Sequence, residues 1–173
     1  MIRTILYPTD LGLYSSYLLQ HVATLAESYD ARIVAVHAVE PLGVFADAVL
    51  ETYVPQDMMS ELKQTGLQSV MEAIRLQVVD AFEEEFIDYQ MDSSRISDVR
   101  VVRGNACDVI LEEAKRCRAD LIVMGSHSQR ENYSPTLGSV VSKVLQISSV
   151  PVFMVPIAEP QFRHQELHQS KHA

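Results

Sequence analysis

Apolar residues fall along this chain in two rhythms. Solid runs such as "RIVAVHAV" from Arg32 and "DLIVMG" from Asp120 alternate with stretches in which apolar residues recur every three or four positions. A short solid run bounded by Pro or Gly marks a strand buried on both faces, and the three-to-four spacing marks a helix with one face inward. "TILYPT" (Thr4 to Thr9) reads as a first strand, stopped at Pro8. Leu18, Val22, Leu25 and Ala26 trace a first helix that Ser15 or Ser16 can cap. "RIVAVHAV" is the second strand. Glu40 to Gln56, with Pro41, Gly43 and Pro55, reads as a loop or flap on the ligand side of the sheet, one that orders when the pocket fills. Asp57 caps a long helix running to about Tyr89, with Leu62, Leu67, Val70, Ile74 and Val78 inward and Glu83, Glu84 and Glu85 solvated. "DVRVVRG" (Asp98 to Gly104) alternates, as a strand near an edge does. Asn105 caps a helix over "NACDVILEEAKRC", "DLIVMG" is the fourth strand, and "SVVSKVLQIS" from Ser139 is the last helix. "SVPVFMVP" closes the pattern as the fifth strand.

Strands alternating with helices imply right-handed βαβ units and a parallel sheet covered on both faces. The predicted fold class is therefore α/β: a single open, doubly wound sheet of five parallel strands. Ligands of such sheets bind beyond the carboxyl ends of the strands, where the winding reverses. The first and fourth strands are the most solidly apolar candidates for the centre. As neighbours, they bring Pro8-Thr9-Asp10 face to face with the stretch "GSHSQRENYSPTLGSV" (Gly125 to Val140).

Composition narrows the partners. A chain of 173 residues with 47% hydrophobic and 21% charged residues suits one globular domain. We assign residues 1–157 to it and 158–173 to a polar, disordered tail. The net charge of −9 and the absence of a basic run argue against nucleic acid. No apolar run approaches the ~18 residues of a membrane span, and "MIRTILYPTD" turns polar too soon for a signal peptide. A soluble cytoplasmic protein is expected. Cys107 and Cys117 have neither CxxC spacing nor a paired His, so both read as small buried hydrophobes. His164, His168 and His172 would form one stripe on a helix, but so short a polar tail is not expected to hold a metal.

The Gly125 to Val140 stretch carries the candidate chemistry. Gly125 permits close backbone approach, and Gly138-Ser139-Val140 opens a helix whose first amides and dipole suit an anion. Arg130 and Lys143 can add charge. Asp10, opposite, would accept from a ribose hydroxyl or an amino group and repel phosphate. A polar end near Asp10 and a phosphate end near Ser139 describe a nucleotide; on the other reading, the glycines are only joints of a long turn. Neither a Walker loop nor a G-x-G-x-x-G fingerprint is present.

The segments "ILYPTD", "VHAVE", "ADLIVMGSHS", "LGSVVSKVL" and "VPVFMVP" resemble, in order and spacing, the universal stress protein family. The resemblance spans roughly residues 1 to 157 and implies a sheet ordered 3-2-1-4-5, usually dimeric, with ATP or AMP across the reversal point. The nucleotide-binding branch has a loop of the form G-x-x-G-x9-G-[ST]. Gly125, Gly138 and Ser139 match it, whereas Ser128 stands at the middle glycine, Val141 supplies no hydroxyl, and Gln129-Arg130 replace a pair often basic. By this resemblance Pro8, Thr9 and Asp10 border the adenosine and the Ala38 backbone contacts adenine. Met124, Gly125, His127, Ser128, Gly138, Ser139 and Val140 then line the ribose and phosphates. Magnesium would enter only with ATP.

No second base, carboxylate pair or lysine is placed to work with His127, so it reads as a hydrogen-bonding wall rather than a catalyst. His37 reads as a satisfied core histidine, and His21 has no evident partner. Three functions follow: a nucleotide-binding regulatory dimer, a slow ATPase or self-phosphorylating switch, and a dimerisation module with a vestigial pocket. The last strand, Val150 to Val155, is apolar on both faces yet terminal, so pairing with its twin in a homodimer is expected.

Overall fold

Odd and even residues of the central strands part to opposite faces, and each face is apolar. The computed structural model describes residues 1–12, 14–40, 67–88, 92–127 and 137–157. Within them lie β1 (Thr4–Pro8), α1 (Ser15–Tyr29), β2 (Arg32–Val39), α2 (Leu67–Asp88), β3 (Ile96–Arg103), α3 (Ala106–Arg116), β4 (Leu121–Gly125), α4 (Ser139–Ile147) and β5 (Val152–Val155). All strand pairs are parallel, in the order β3-β2-β1-β4-β5. Ile5, Tyr7, Ile33, Ala35, Leu121 and Val123 pack with α1 and α2. Leu6, Val34, Val36, Ile122 and Met124 pack with α3 and α4. The solid apolar runs of the sequence are thus two alternating faces, both buried.

Several elements differ in detail from the expectation. Tyr14, not a serine, occupies the N-cap of α1 and makes no side-chain cap bond; Ser15 and Ser16 fall in the first turn. The turn before it closes instead by a bond from the Ser15 amide to the Gly12 carbonyl at 3.0 Å. Asn105 does cap α3, accepting from the Cys107 amide at 3.1 Å. The expected start of α2 at Asp57 lies outside the described residues, as do Leu62, residues 41–56 and the tail. Within α2, Ile74 and Val78 face inward, joined by Phe82, whose ring centre is 5.9 Å from that of Tyr7. Glu83 and Glu84 are exposed. β3 starts two residues before Asp98, because Ser97 forms a bulge: the register shifts between Ile33 and Val34, and the Ser97 hydroxyl donates to the Ile33 carbonyl at 3.0 Å. Both cysteines are free and buried, and burial raises their thiol pKa values, so neither is poised to react.

α3 ends in a Schellman arrangement. The Arg118 amide donates to Lys115 O at 3.1 Å and the Ala119 amide to Ala114 O at 2.8 Å. Arg118 has φ +52, a left-handed position where glycine is favoured and an ordinary side chain costs roughly 1 kcal/mol.

The amino ends of the two central strands are clamped by one carboxylate. Asp120 Oδ2 accepts from the Arg3 amide at 2.8 Å and the Thr4 amide at 3.0 Å, and the Asp120 amide donates to Thr4 O at 2.9 Å. The two amide bonds hold the Asp120 pKa below its ordinary value. A carboxyl depressed in the native state contributes stability above the ordinary aspartate range and loses it as pH falls through the native value. Asp120→Asn should therefore cost about 1 kcal/mol at neutral pH, the group being solvent-exposed, and should weaken the acid dependence of stability. Urea unfolding of both proteins between neutral pH and pH ~3 measures this.

Candidate functional site

β1 and β4 pair only through their lower halves. Their register is Ile5 with Leu121 and Leu6 with Ile122. Above that level each follows its outer neighbour: β1 stays with β2 up to Pro8 and Val36, and β4 stays with β5 up to Gly125 and Val155. The next residues continue the divergence, since the Thr9 amide donates to Val36 O and the Ser126 amide to Val155 O, both at 2.9 Å. A crevice therefore opens between the carboxyl ends of β1 and β4, where the winding reverses.

Its β1 wall is a tightly wound loop. Thr9 is buried and its hydroxyl oxygen accepts from the Leu11 amide at 3.1 Å. Asp10 Oδ1 accepts from the Gly12 amide at 3.0 Å. These two turns hold Leu11 at φ +56, a strained position for a side chain with a Cβ. From β2, His37 Nδ1 lies 2.9 Å from the Thr9 carbonyl. A carbonyl can only accept, so Nδ1 carries the hydrogen. His37 thus has a partner, as expected, and that partner is the site loop itself.

The β4 wall is organised by Ser126, which sequence reasoning did not single out. Besides its amide bond to β5, its carbonyl accepts from the Gly138 amide at 2.9 Å, which seats the start of α4. Its hydroxyl oxygen accepts from the Ile157 amide at 2.9 Å and lies 2.9 Å from His127 Nδ1, orienting that ring. Ser126 is buried, so a single small polar residue ties β4, β5, α4 and His127 together. A serine directly after a solid strand and before a glycine-bounded loop was the only signal available.

Gly125 has a packing reason for lacking a side chain. A Cβ there would stand 2.6 Å from Ile157 Cδ1 and 3.1 Å from Leu18 Cδ1. Met124 is buried against α3 and α4, so it meets the crevice through its backbone. Ala38 and Val140 pack, partly buried, against the same apolar cluster. Gly138 precedes α4 with φ −57 and ψ 150, conformations open to any residue. The Val140 and Val141 amides, in the first turn of α4, have no acceptor among the described residues. Pro8, Thr9, Asp10, Gly125, His127, Gly138, Ser139 and Val140 therefore stand at the carboxyl ends of the strands and the start of α4. Ser128 and residues 129–136 lie outside the described residues. His21, without an expected partner, packs edge-on against Tyr17 with ring centres 4.8 Å apart.

Residues 1–156 match the model of the universal stress protein family. The chain is 27% identical over 157 residues to universal stress protein MJ0531 of Methanocaldococcus jannaschii, covering 88% of this chain and 81% of that one. It is 36% identical over 58 residues to the Bacillus subtilis stress response protein NhaX, a match spanning 34% of this chain and 35% of the relative. Its fold resembles that of hypothetical protein MJ0577, with a TM-score of 0.62 at 21% identity, covering 92% of this chain and 99% of the other. It also resembles a universal stress protein family member of Arabidopsis thaliana solved with AMP bound, with a TM-score of 0.53 at 15% identity and coverage of 92% and 94%.

Removing the Ser126 hydroxyl should loosen the β4 wall. Ser126→Ala leaves the Ile157 amide and His127 Nδ1 without that oxygen, a cost of about 1–2 kcal/mol. Urea unfolding reads the loss, and hydrogen exchange should speed up at Ile157 while Ile122, in the sheet centre, keeps its protection.

Proposed function

The chain belongs to the universal stress protein family, and on that premise we propose that it is an adenine-nucleotide-binding regulatory protein of the stress response, acting as a homodimer in the cytoplasm. The observation that carries this reading is the parting of β1 from β4 with the first turn of α4 at the mouth of the gap. A helix start offers amides and a positive dipole end to phosphate, and Ser139 adds a hydroxyl. Asp10 and the buried Thr9 loop form the opposite, acidic wall, suited to ribose and base. ATP or AMP fits this polarity, and the relative solved with AMP supports an adenylate ligand. Pro8, Thr9, Asp10 and Ala38 are the nucleoside side of the proposed site; Met124, Gly125, His127, Ser128, Gly138, Ser139 and Val140 are the phosphate side.

Binding, not turnover, is the proposed role. His127 is oriented by Ser126 as a wall of the site, and no residue of the crevice is proposed as catalyst. No helix among the described residues is long and apolar enough to cross a membrane. The dimer is proposed to form through β5, the terminal strand of the sheet, where Phe153 is 42% exposed beside an unpaired edge.

Calorimetry with ATP, ADP and AMP tests the nucleotide reading. Binding in the micromolar to millimolar range is expected. Gly138→Val should abolish it: its backbone angles admit valine, so the loss reports filled space rather than strain. Ser128→Gly, which restores the middle glycine of the family loop, should tighten binding about fivefold, the equivalent of roughly 1 kcal/mol. No heat from any of the three nucleotides at millimolar concentration would leave the dimerisation module as the surviving function. Light scattering at micromolar concentration should give a dimer that Phe153→Lys weakens; a monomeric wild type refutes the β5 interface.

A further inference from the structure

A cavity of about 450 Å³ lies at the opposite end of the sheet from the crevice. It is lined by the first residues of β2 and β3 and by the carboxyl end of α3, and four of its residues are arginines: Arg32, Arg100, Arg116 and Arg118. In a chain of net charge −9, such convergence is against the average. The acidic neighbours do not balance it. Arg100 is held by Asp98 at 2.7 Å and by the buried Glu113, which also meets Arg116 at 3.4 Å. Two carboxylates thus pair with the arginines of the cleft, while a third at this end of the sheet, Asp120, is spent on the Arg3 and Thr4 amides. Among the described residues, Arg32 and Arg118 have no carboxylate partner: Arg32 donates to the Thr4 hydroxyl at 3.0 Å and to Cys117 O at 3.5 Å.

The carboxyl end of a helix normally repels an anion. Here most of its last carbonyls are occupied. Glu113 O accepts from the Cys117 amide, Ala114 O and Lys115 O from the Schellman bonds, and Cys117 O from Arg32. The residue that closes this cap is itself unusual. At φ +52 the position favours glycine, and an arginine there is strained with no gain to the cap. Strain retained against an available relief points to function. We propose that this cleft is a second anion site, which takes a small phosphate-bearing molecule on Arg32, Arg118 and the outer face of Arg116, with Arg100 fixed beneath them by its ion pairs. Guanidinium forks match phosphate oxygens in pairs.

Inorganic pyrophosphate is a suitable probe. Titrated into the labelled wild-type protein, it should shift the Nε–H resonances of Arg32 and Arg118 at concentrations that leave the Val140 amide unmoved. Arg118→Gly is the decisive variant, because the two readings of Arg118 give opposite pictures. The fold should become more resistant to heat as the left-handed strain is relieved, while pyrophosphate affinity falls about tenfold, the scale of one lost charge-assisted contact. Arg32→Gln should weaken binding similarly. The proposal is overturned if pyrophosphate at millimolar concentration shifts none of these arginines, if it shifts only residues of the crevice, or if Arg118→Gly binds it as tightly as wild type.

Discussion

The structure turns on the incomplete pairing of β1 with β4. Two neighbouring parallel strands inside a five-stranded sheet are buried on both faces, yet they share a ladder only at Ile5–Leu121 and Leu6–Ile122. Below that level Asp120 holds them together through two amide bonds and one backbone bond. Above it, hydrogen bonding to the outer strands draws them apart, and Pro8, which has no amide hydrogen, contributes no donor toward β4. Clamped at one end and diverging at the other, the pair makes a wedge. The same residues that bury the core on both faces therefore set the position of the crevice, and apart from Ala38 on β2 the candidate ligand contacts hang from its two lips or the start of α4.

Those lips are held by polar residues that are buried for structural reasons. Thr9 and Ser126 each follow the last residue of a central strand, and each extends the ladder outward by one bond to Val36 or Val155. Each also spends its hydroxyl oxygen locally, Thr9 on Leu11 and Ser126 on Ile157. Their satisfaction is what lets a polar loop begin at the edge of an apolar core without unmatched groups. His37 and His127 are tied to these two residues, one to the Thr9 carbonyl and one to the Ser126 hydroxyl. The two walls are thus stiffened independently, which favours a preformed site over one assembled by the ligand.

Much of this was legible in the sequence because it rests on periodicity. Solid runs at Ile5, Arg32 and Leu121 force a two-sided sheet, and the sheet forces a reversal point. The Asn105 cap and the edge character of β3 follow from equally local rules. What escaped reading depends on contacts between distant residues. Ser97 is unremarkable until its hydroxyl meets Ile33 in a bulge. Phe82 becomes core only because Tyr7 stands across from it. Gly125 looks like a hinge for a ligand, and its neighbours Ile157 and Leu18 show that it also makes room for packing. Ser126 offers only its place after a solid strand, since its importance lies in four partners spread over 31 residues of chain.

Backbone strain adds an independent line of reasoning. Among the described residues, the non-glycine positions with positive φ are Leu11, Asp30 and Arg118. Aspartate tolerates that region through local hydrogen bonding, and Asp30 caps α1 while its carboxylate meets Arg95 at 3.0 Å. Leucine and arginine have no such excuse. Leu11 sits on the crevice loop, forced there by the Thr9 and Asp10 turns, and Arg118 sits on the lip of the arginine cleft. A glycine at either place would make the fold easier to form by roughly 1 kcal/mol. The strained side chains thus fall at opposite ends of the sheet, one on the nucleoside wall of the proposed crevice site and one at the proposed arginine site. Both proposed sites thus sit on one scaffold, built around a strand pair that closes at the arginine end and opens at the other.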